Sequence, residues 1–215
     1  MKKAVLFDMD GILYDSERFY MDITVTVMRS LGYTGPEEAL YEVVGTTAEG
    51  TWKILYDLLD GSYTGRQIER AWTDYLRAHP LDYKAVMFRD IPASLERLKE
   101  KGIRMACCSS SAPSVIRKSL KAMGITDYFD YSVSSEEVEF PKPDPMIYLL
   151  AAKKLGVQPE DCAVYEDSEP GIEAGLRAGM LVVARKDERF NQNQQKAHKL
   201  VLCAGEMTDF ILGED

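Results

Sequence analysis

A chain of 215 residues, 46% of them hydrophobic, can bury a sizeable core and is too apolar to stay disordered; its length suits one domain with an insertion or two small ones. The formal net charge is -9 and no run of Lys and Arg occurs, which excludes an electrostatic footprint for nucleic acid. Four cysteines, two of them adjacent at Cys107 and Cys108, make neither a zinc-ligand spacing nor a secreted disulfide framework, and the apolar run ending at Phe7 is too short for a signal peptide or membrane span.

In chain order, residues 4–7 form a short apolar run that reads as a buried strand. Residues 16–87 then show amphipathic helical pattern and loop residues without a strand, and are expected to form an inserted helical cap domain. Apolar runs recur at 104–108, 131–133, 162–165, 181–184 and 200–202, with helix-period stretches at 92–101, 113–123, 145–155 and 170–178. Pro92, Pro113, Pro145 and Pro170 open these helices, and Gly102, Gly124, Gly156 and Gly179 close them. Strand alternating with helix predicts right-handed βαβ units: an α/β protein whose Rossmann-like parallel-sheet core comprises residues 1–15 and 88–215. The polar stretch 185–199 is expected to be a surface loop.

In open α/β sheets ligands bind outside the carboxyl ends of the strands, so the residues following each strand carry the chemistry. Asp8-Met9-Asp10-Gly11 follows the first strand and sets two carboxylates on one side of an extended chain, where one can attack while the other moves protons. Ser109-Ser110-Ser111 follows the second, offering hydroxyls and amides suited to phosphate oxygens. Lys142, between Pro141 and Pro143, follows the third, and Glu166-Asp167 follows the fourth. Carboxylates, one lysine and a hydroxyl cluster on neighbouring strand ends are the inventory for metal-assisted phosphoryl transfer. At ~4 Å and an effective dielectric of ~20, each charge pair is worth about 4 kcal/mol, so these acids would repel a phosphate dianion without a cation. Hard oxygen ligands indicate Mg2+.

The four segments, in order and spacing, resemble the haloacid dehalogenase superfamily, in its branch with a helical cap between the first and second motifs, and the resemblance spans nearly the whole chain. It implies that Asp8 is the nucleophile that becomes an aspartyl-phosphate and Asp10 the general acid and base. It implies further that Ser109 and Lys142, with Ser110 and Gly11 beside them, hold the phosphate, and that the metal is held by Asp8, the Asp10 carbonyl and Asp167, with Glu166 in or next to the coordination sphere. Asp15 matches a further acid where the cap begins.

Plainer readings compete at single positions. Asp167-Ser168-Glu169-Pro170 also makes a helix-opening signature, a lysine between prolines is usually a solvated loop residue, and Cys107 and Cys108 sit where a strand needs small apolar side chains. His79 and His198 read as structural or exposed. The conjunction of four motifs favours chemistry. Dehalogenases of the superfamily lack the second aspartate, which this chain has as Asp10; its phosphonate-cleaving members use a cap lysine where this chain has Ala48. The β-phosphoglucomutase branch is most similar in pattern, but carries a histidine and an arginine where this chain has Tyr20 and Ala48. Without that arginine a second phosphate lacks its bidentate clamp. The expectation is therefore a cytoplasmic, monomeric Mg2+-dependent phosphatase of a small phosphorylated metabolite, a sugar phosphate first, contacted by Tyr20, Thr46 and Thr47. It is expected to bind neither nucleic acid nor membrane. A β-phosphoglucomutase-like phosphotransferase and a non-catalytic metabolite-binding protein are the alternatives.

Overall fold

The computed structural model describes residues 2–44, 46, 48–189 and 193–214. The chain divides into two compact units, one of Met1–Asp15 with Tyr83–Asp215 and one of Ser16–Asp82. Residues 83–87, read from sequence as part of the insertion, thus group with the sheet.

The smaller unit is helical: α1 (Ser16–Ser30), a 3-10 turn (Glu37–Val43), α2 (Ala48–Leu58) and α3 (Gly65–Ala78). Helix α1 buries Met21, Thr24, Val27 and Met28, the three-and-four spacing that puts apolar side chains on one stripe. Helix α3 opens with a reciprocal capping box: the Thr64 hydroxyl accepts the Gln67 amide, while the Gln67 side chain accepts the Thr64 amide. Trp72 of α3 stands edge-on to Trp52 of α2 with centroids 6.0 Å apart, and its indole N–H donates to Thr24 Oγ1 at 3.1 Å. One large side chain therefore ties three helices together.

The larger unit is built on six strands, β1 (Ala4–Phe7), β2 (Arg104–Ser109), β3 (Tyr131–Ser134), β4 (Cys162–Glu166), β5 (Leu181–Arg185) and β6 (Lys199–Val201). All pair in parallel, in the order β3-β2-β1-β4-β5-β6. The helices of this unit are α4 (Tyr83–Val86), α5 (Ile91–Glu100), α6 (Pro113–Met123), α7 (Met146–Leu155), α8 (Glu169–Arg177) and α9 (Ala204–Leu212). This is the Rossmann-like α/β fold expected from the alternation of patterns.

Parallel strands covered on both faces have to be apolar at successive positions, and β1 is buried at all four residues. Ala4 and Leu6 face a cluster with Val164 and Val182 and with Ile147, Tyr148 and Ala151 of α7. Val5 and Phe7 point the other way and are equally buried. Helix α8 lies close on the sheet because Gly175 presents no side chain to it: a Cβ there would come within 2.8 Å of Val182 and 3.3 Å of Val164. Cys107 and Cys108 are buried free thiols within β2, in keeping with a packing role. No described helix is long and apolar enough to cross a membrane.

Candidate active site

The register of the sheet assembles the site. Phe7 pairs with Cys107 on one side and Tyr165 on the other, so Asp8, Cys108 and Glu166 leave three adjacent strands side by side. Lys142, from the loop between β3 and α7, reaches into this row. Its ammonium donates to Asp8 Oδ1 at 2.5 Å, to Glu166 Oε1 at 2.7 Å and to the Cys108 carbonyl at 3.2 Å. The Lys142 side chain is only 6% exposed, and its Nζ lies 5.0 Å from the centre of the Tyr148 ring. Such a lysine is not the solvated loop residue that its flanking prolines allow.

Burial pushes the Asp8 carboxyl up, to about 8, against the pull of Lys142. Burial also disfavours the charge on Lys142, but Asp8 and Glu166 outweigh it and hold the ammonium well above its usual range. Glu166 responds in the opposite sense to Asp8. Its burial is overcome by Lys142, by the Ser168 amide and by Tyr148, and its carboxyl sits below the usual range. The direction for the group follows from these partners: Lys142 stays protonated, and Glu166 is the carboxylate that holds it.

Glu166 is occupied at both oxygens. Oε1 accepts Lys142 and the Tyr148 hydroxyl, the latter at 2.9 Å; Oε2 accepts the amides of Asp167 and Ser168 at 2.8 and 2.9 Å and the Ser168 hydroxyl at 3.0 Å. Ser168 in turn caps α8 by accepting the Gly171 amide at 3.2 Å. The helix-opening reading of this segment therefore holds together with a place in the site.

Asp8, Glu166 and Asp167 each present a carboxylate oxygen within 4.8 Å of the others. Gly11 brings the turn after β1 against this cluster. Its φ of 75° is unfavourable for any residue with a side chain, and a Cβ there would collide with the Asp167 carboxylate. Hard oxygen donors carrying more negative charge than one lysine offsets fit a small divalent cation.

Asp10 points to other partners. Its Oδ1 accepts the Tyr14 hydroxyl at 2.6 Å, and its Oδ2 lies 3.4 Å from the Ser111 hydroxyl. Burial raises its carboxyl above the ordinary value, with Tyr14 and Ser111 pulling the other way. Ser109 is fully buried at the end of β2, where its Oγ accepts the Ser111 amide at 3.0 Å. The carbonyls of Ser110 and Ser111 accept the hydroxyls of Ser135 and Ser134 at 2.9 and 2.8 Å, strapping this loop to the end of β3. The Asp15 carboxylate is gripped by both terminal nitrogens of Arg189, at 2.8 and 3.0 Å.

Within the helical unit, Tyr20 lies 5.8 Å from Trp72 between ring centroids and lines a cavity of about 210 Å³ with Glu17, Thr51, Trp52 and Trp72. No Lys or Arg lines this cavity among the described residues. Thr46 donates to the Val43 carbonyl at 2.6 Å and lies 2.9 Å from the Thr51 hydroxyl. Gly45 and Thr47 lie outside the described residues, as does the side chain of Ala48.

Three polar residues around the site escape sequence reasoning. Nothing in the local pattern marks Tyr14 and Tyr148, and only their hydroxyls, bonded to Asp10 and Glu166, separate them from phenylalanine. Gln194 lies in the polar stretch 185–199, yet it is buried; its amide donates to the carbonyls of Asp167 and Arg185 at 2.5 and 2.6 Å, and its oxygen accepts the Asp187 amide at 3.1 Å. It holds the backbone behind Asp167. No local signal marks it, because the bond that brings it to the site reaches the Asp167 carbonyl 27 positions away.

The model of the haloacid dehalogenase-like hydrolases matches residues 2–179. The chain is 30% identical over 186 residues to the phosphorylated carbohydrates phosphatase of Thermotoga maritima, covering 83% of this chain and 82% of that protein. It is 30% identical over 185 residues to the fructose-1-phosphate phosphatase of Escherichia coli, covering 84% and 94%. Among solved structures, a family hydrolase from Deinococcus radiodurans with bound phosphate and sodium superposes with a TM-score of 0.83, covering 99% of this chain and 96% of that one at 22% identity, a likeness of fold.

Proposed function

The chain belongs to the haloacid dehalogenase-like hydrolase family and is a phosphoric monoester hydrolase, and from that premise we propose that it is a Mg2+-dependent phosphatase that hydrolyses a small sugar phosphate through a phosphorylated Asp8. The observation that carries this reading is the buried junction of Asp8, Lys142 and Glu166 beside Asp167, where a nucleophilic carboxylate, a fixed cation and further oxygen ligands meet.

In this reading an Asp8 oxygen bonds to phosphorus as the ester P–O bond breaks, and Asp10 gives its proton to the leaving oxygen. Asp10 then takes a proton from a water whose oxygen attacks the same phosphorus. The acyl-phosphate P–O bond breaks, phosphate leaves and Asp8 is restored. Lys142 and Ser109, with the amide of Ser110 nearby, bind the phosphoryl oxygens through charge and hydrogen bonds, whereas the Gly11 amide, expected from sequence to lie beside them, is spent on the Tyr14 carbonyl at 3.0 Å. Asp8, the Asp10 carbonyl and Asp167 would hold Mg2+, which when bound offsets the negative charge of phosphate and carboxylates and would draw the Asp8 carboxyl, raised by its burial, back to the carboxylate that attacks. Glu166, already engaged by five donors, is assigned to anchoring Lys142 and the loop beside Asp167.

The helical unit is assigned the choice of leaving group, with Tyr20, Thr46 and Thr47 among its contacts. Ala48 stands where the mutase branch carries its arginine, so a second phosphate lacks a bidentate clamp, which favours a hydrolase over a bisphosphate-handling mutase. The relatives named for phosphorylated carbohydrates and fructose 1-phosphate support the same class.

Phosphate release from a panel of sugar phosphates, nucleotides and a chromogenic monoester, with and without Mg2+, tests the proposal. Release is expected to need the metal, to be abolished by Asp8→Asn and to be fastest on a sugar monophosphate. Turnover that survives Asp8→Asn would overturn the mechanism, and a bisphosphate preferred over every monoester would overturn the substrate class.

A further inference from the structure

Tyr14 is fixed more firmly than a core aromatic requires. Its ring is 1% exposed and stands edge-on to Tyr83, with centroids 5.2 Å apart. Its carbonyl accepts the Gly11 amide at 3.0 Å, and the residue bridges to both Asp10 and Met87. On either side, the Asp15 amide donates to the Val86 carbonyl at 3.0 Å and the Phe88 amide to the Leu13 carbonyl at 3.2 Å. Tyr14 thus sits where the segment running out of β1 pairs with the segment that returns to the sheet. A phenylalanine would supply the same packing, and a buried hydroxyl costs free energy unless it is bonded. This hydroxyl donates to Asp10 Oδ1 at 2.6 Å, whereas the other hydroxyls that face the carboxylate, Ser111 at 3.4 Å from Oδ2 and Ser109, constrain it weakly.

We propose that Tyr14 is a positioning residue for the proton transfer to the leaving group: by occupying Asp10 Oδ1 from a rigid ring, it fixes the carboxyl plane and leaves Oδ2 to carry the transferable proton. The inference rests on the reading of Asp10 as general acid. In the step concerned, the proton passes from Asp10 Oδ2 to the ester oxygen while that oxygen's bond to phosphorus breaks and the Asp8–phosphorus bond forms. No other group changes its proton count. Tyr14 keeps its own proton throughout and touches neither substrate nor metal, so its removal should be felt only where the leaving group needs that proton.

The test compares kcat/KM, which reports the steps up to departure of the leaving group, for a sugar or alkyl phosphate and for dinitrophenyl phosphate, whose anion leaves unprotonated. Tyr14→Phe is expected to lower kcat/KM for the alkyl ester by about 10- to 100-fold, within the range that general acid catalysis supplies, and to change the dinitrophenyl value less than about twofold. Asp10→Asn should show the same selectivity, more strongly. Both rates come from one preparation, so their ratio does not depend on how much of the variant is folded. An equal fall on both substrates, or an unchanged ratio in Tyr14→Phe while Asp10→Asn alters it, would overturn the role of Tyr14 alone. An unchanged ratio in Asp10→Asn would overturn the general acid reading and this inference with it.

Discussion

Glu166 accepts five donors on two oxygens in a fully buried position, and every one of those bonds requires an acceptor. Glutamine cannot replace it. Whichever way its amide turned, an NH2 would face either Lys142 and Tyr148 or the amides of Asp167 and Ser168, leaving donors opposed to donors. Glu166→Gln should therefore lower stability by about 2–4 kcal/mol, read from urea unfolding in the presence of a chelator. A Glu166 that served only as a metal ligand would show no such loss once metal is withheld. Tyr148→Phe removes one of the five donors and should cost about 1 kcal/mol on the same scale. At this scale the acids and Lys142 were legible in the sequence because each follows a strand, a position that local pattern defines. Tyr148 and Gln194 were not, because their partners Glu166 and Asp167 lie 18 and 27 positions away, and Tyr14, only four residues from Asp10, was not because it meets that carboxylate through an irregular turn and not through a helix or strand period.

Helix α8 carries the clearest case of an element shaped for its neighbours. Gly171 sits where a Cβ would collide with the Glu166 carboxylate, and Gly175 one turn later faces Val164 and Val182 across the sheet. Both positions bring the helix close, but they guard different things. Gly175→Ala overpacks an apolar contact and gains back some helix propensity, for a net loss of about 1–2 kcal/mol with kcat retained. Gly171→Ala must displace the carboxylate that holds Lys142, so it should cost about 3 kcal/mol and lose turnover even at temperatures where the protein stays folded. Thermal unfolding beside steady-state assays separates the two, and equal effects on kcat would contradict the distinction. The helices opened by prolines were anticipated to within a residue or two, since their signals are local. Helix α9 was not anticipated. Its N-cap, Cys203, makes no side-chain capping bond; instead Asp90 Oδ2, 115 positions away, accepts the Gly205 amide at 3.0 Å. A cap supplied from so far along the chain leaves no signature beside the helix it starts.

At the scale of the whole molecule, the alternation of patterns sufficed for the parallel sheet, and β1 to β6 fall where the apolar runs lie. The edge of the helical insertion was less legible, because residues 86–88 return to the sheet unit through backbone pairing with 13–15, and pairing of that kind leaves no periodic trace. The charge balance was legible from composition alone, and it carries a kinetic consequence. A formal charge of -9 surrounds a site whose lysine is already shared between two carboxylates, so a phosphate dianion approaches against the field of the molecule until it meets its local binding groups. Raising ionic strength from about 0.01 M to 0.15 M shortens the Debye length from about 30 to about 8 Å, which screens the long-range repulsion far more than contacts inside the site. With Mg2+ held saturating, kcat/KM for a monoester dianion should therefore rise severalfold across that range while kcat stays level. A fall in kcat/KM would mean that the positive charge gathered at the strand ends already dominates the field at capture distance.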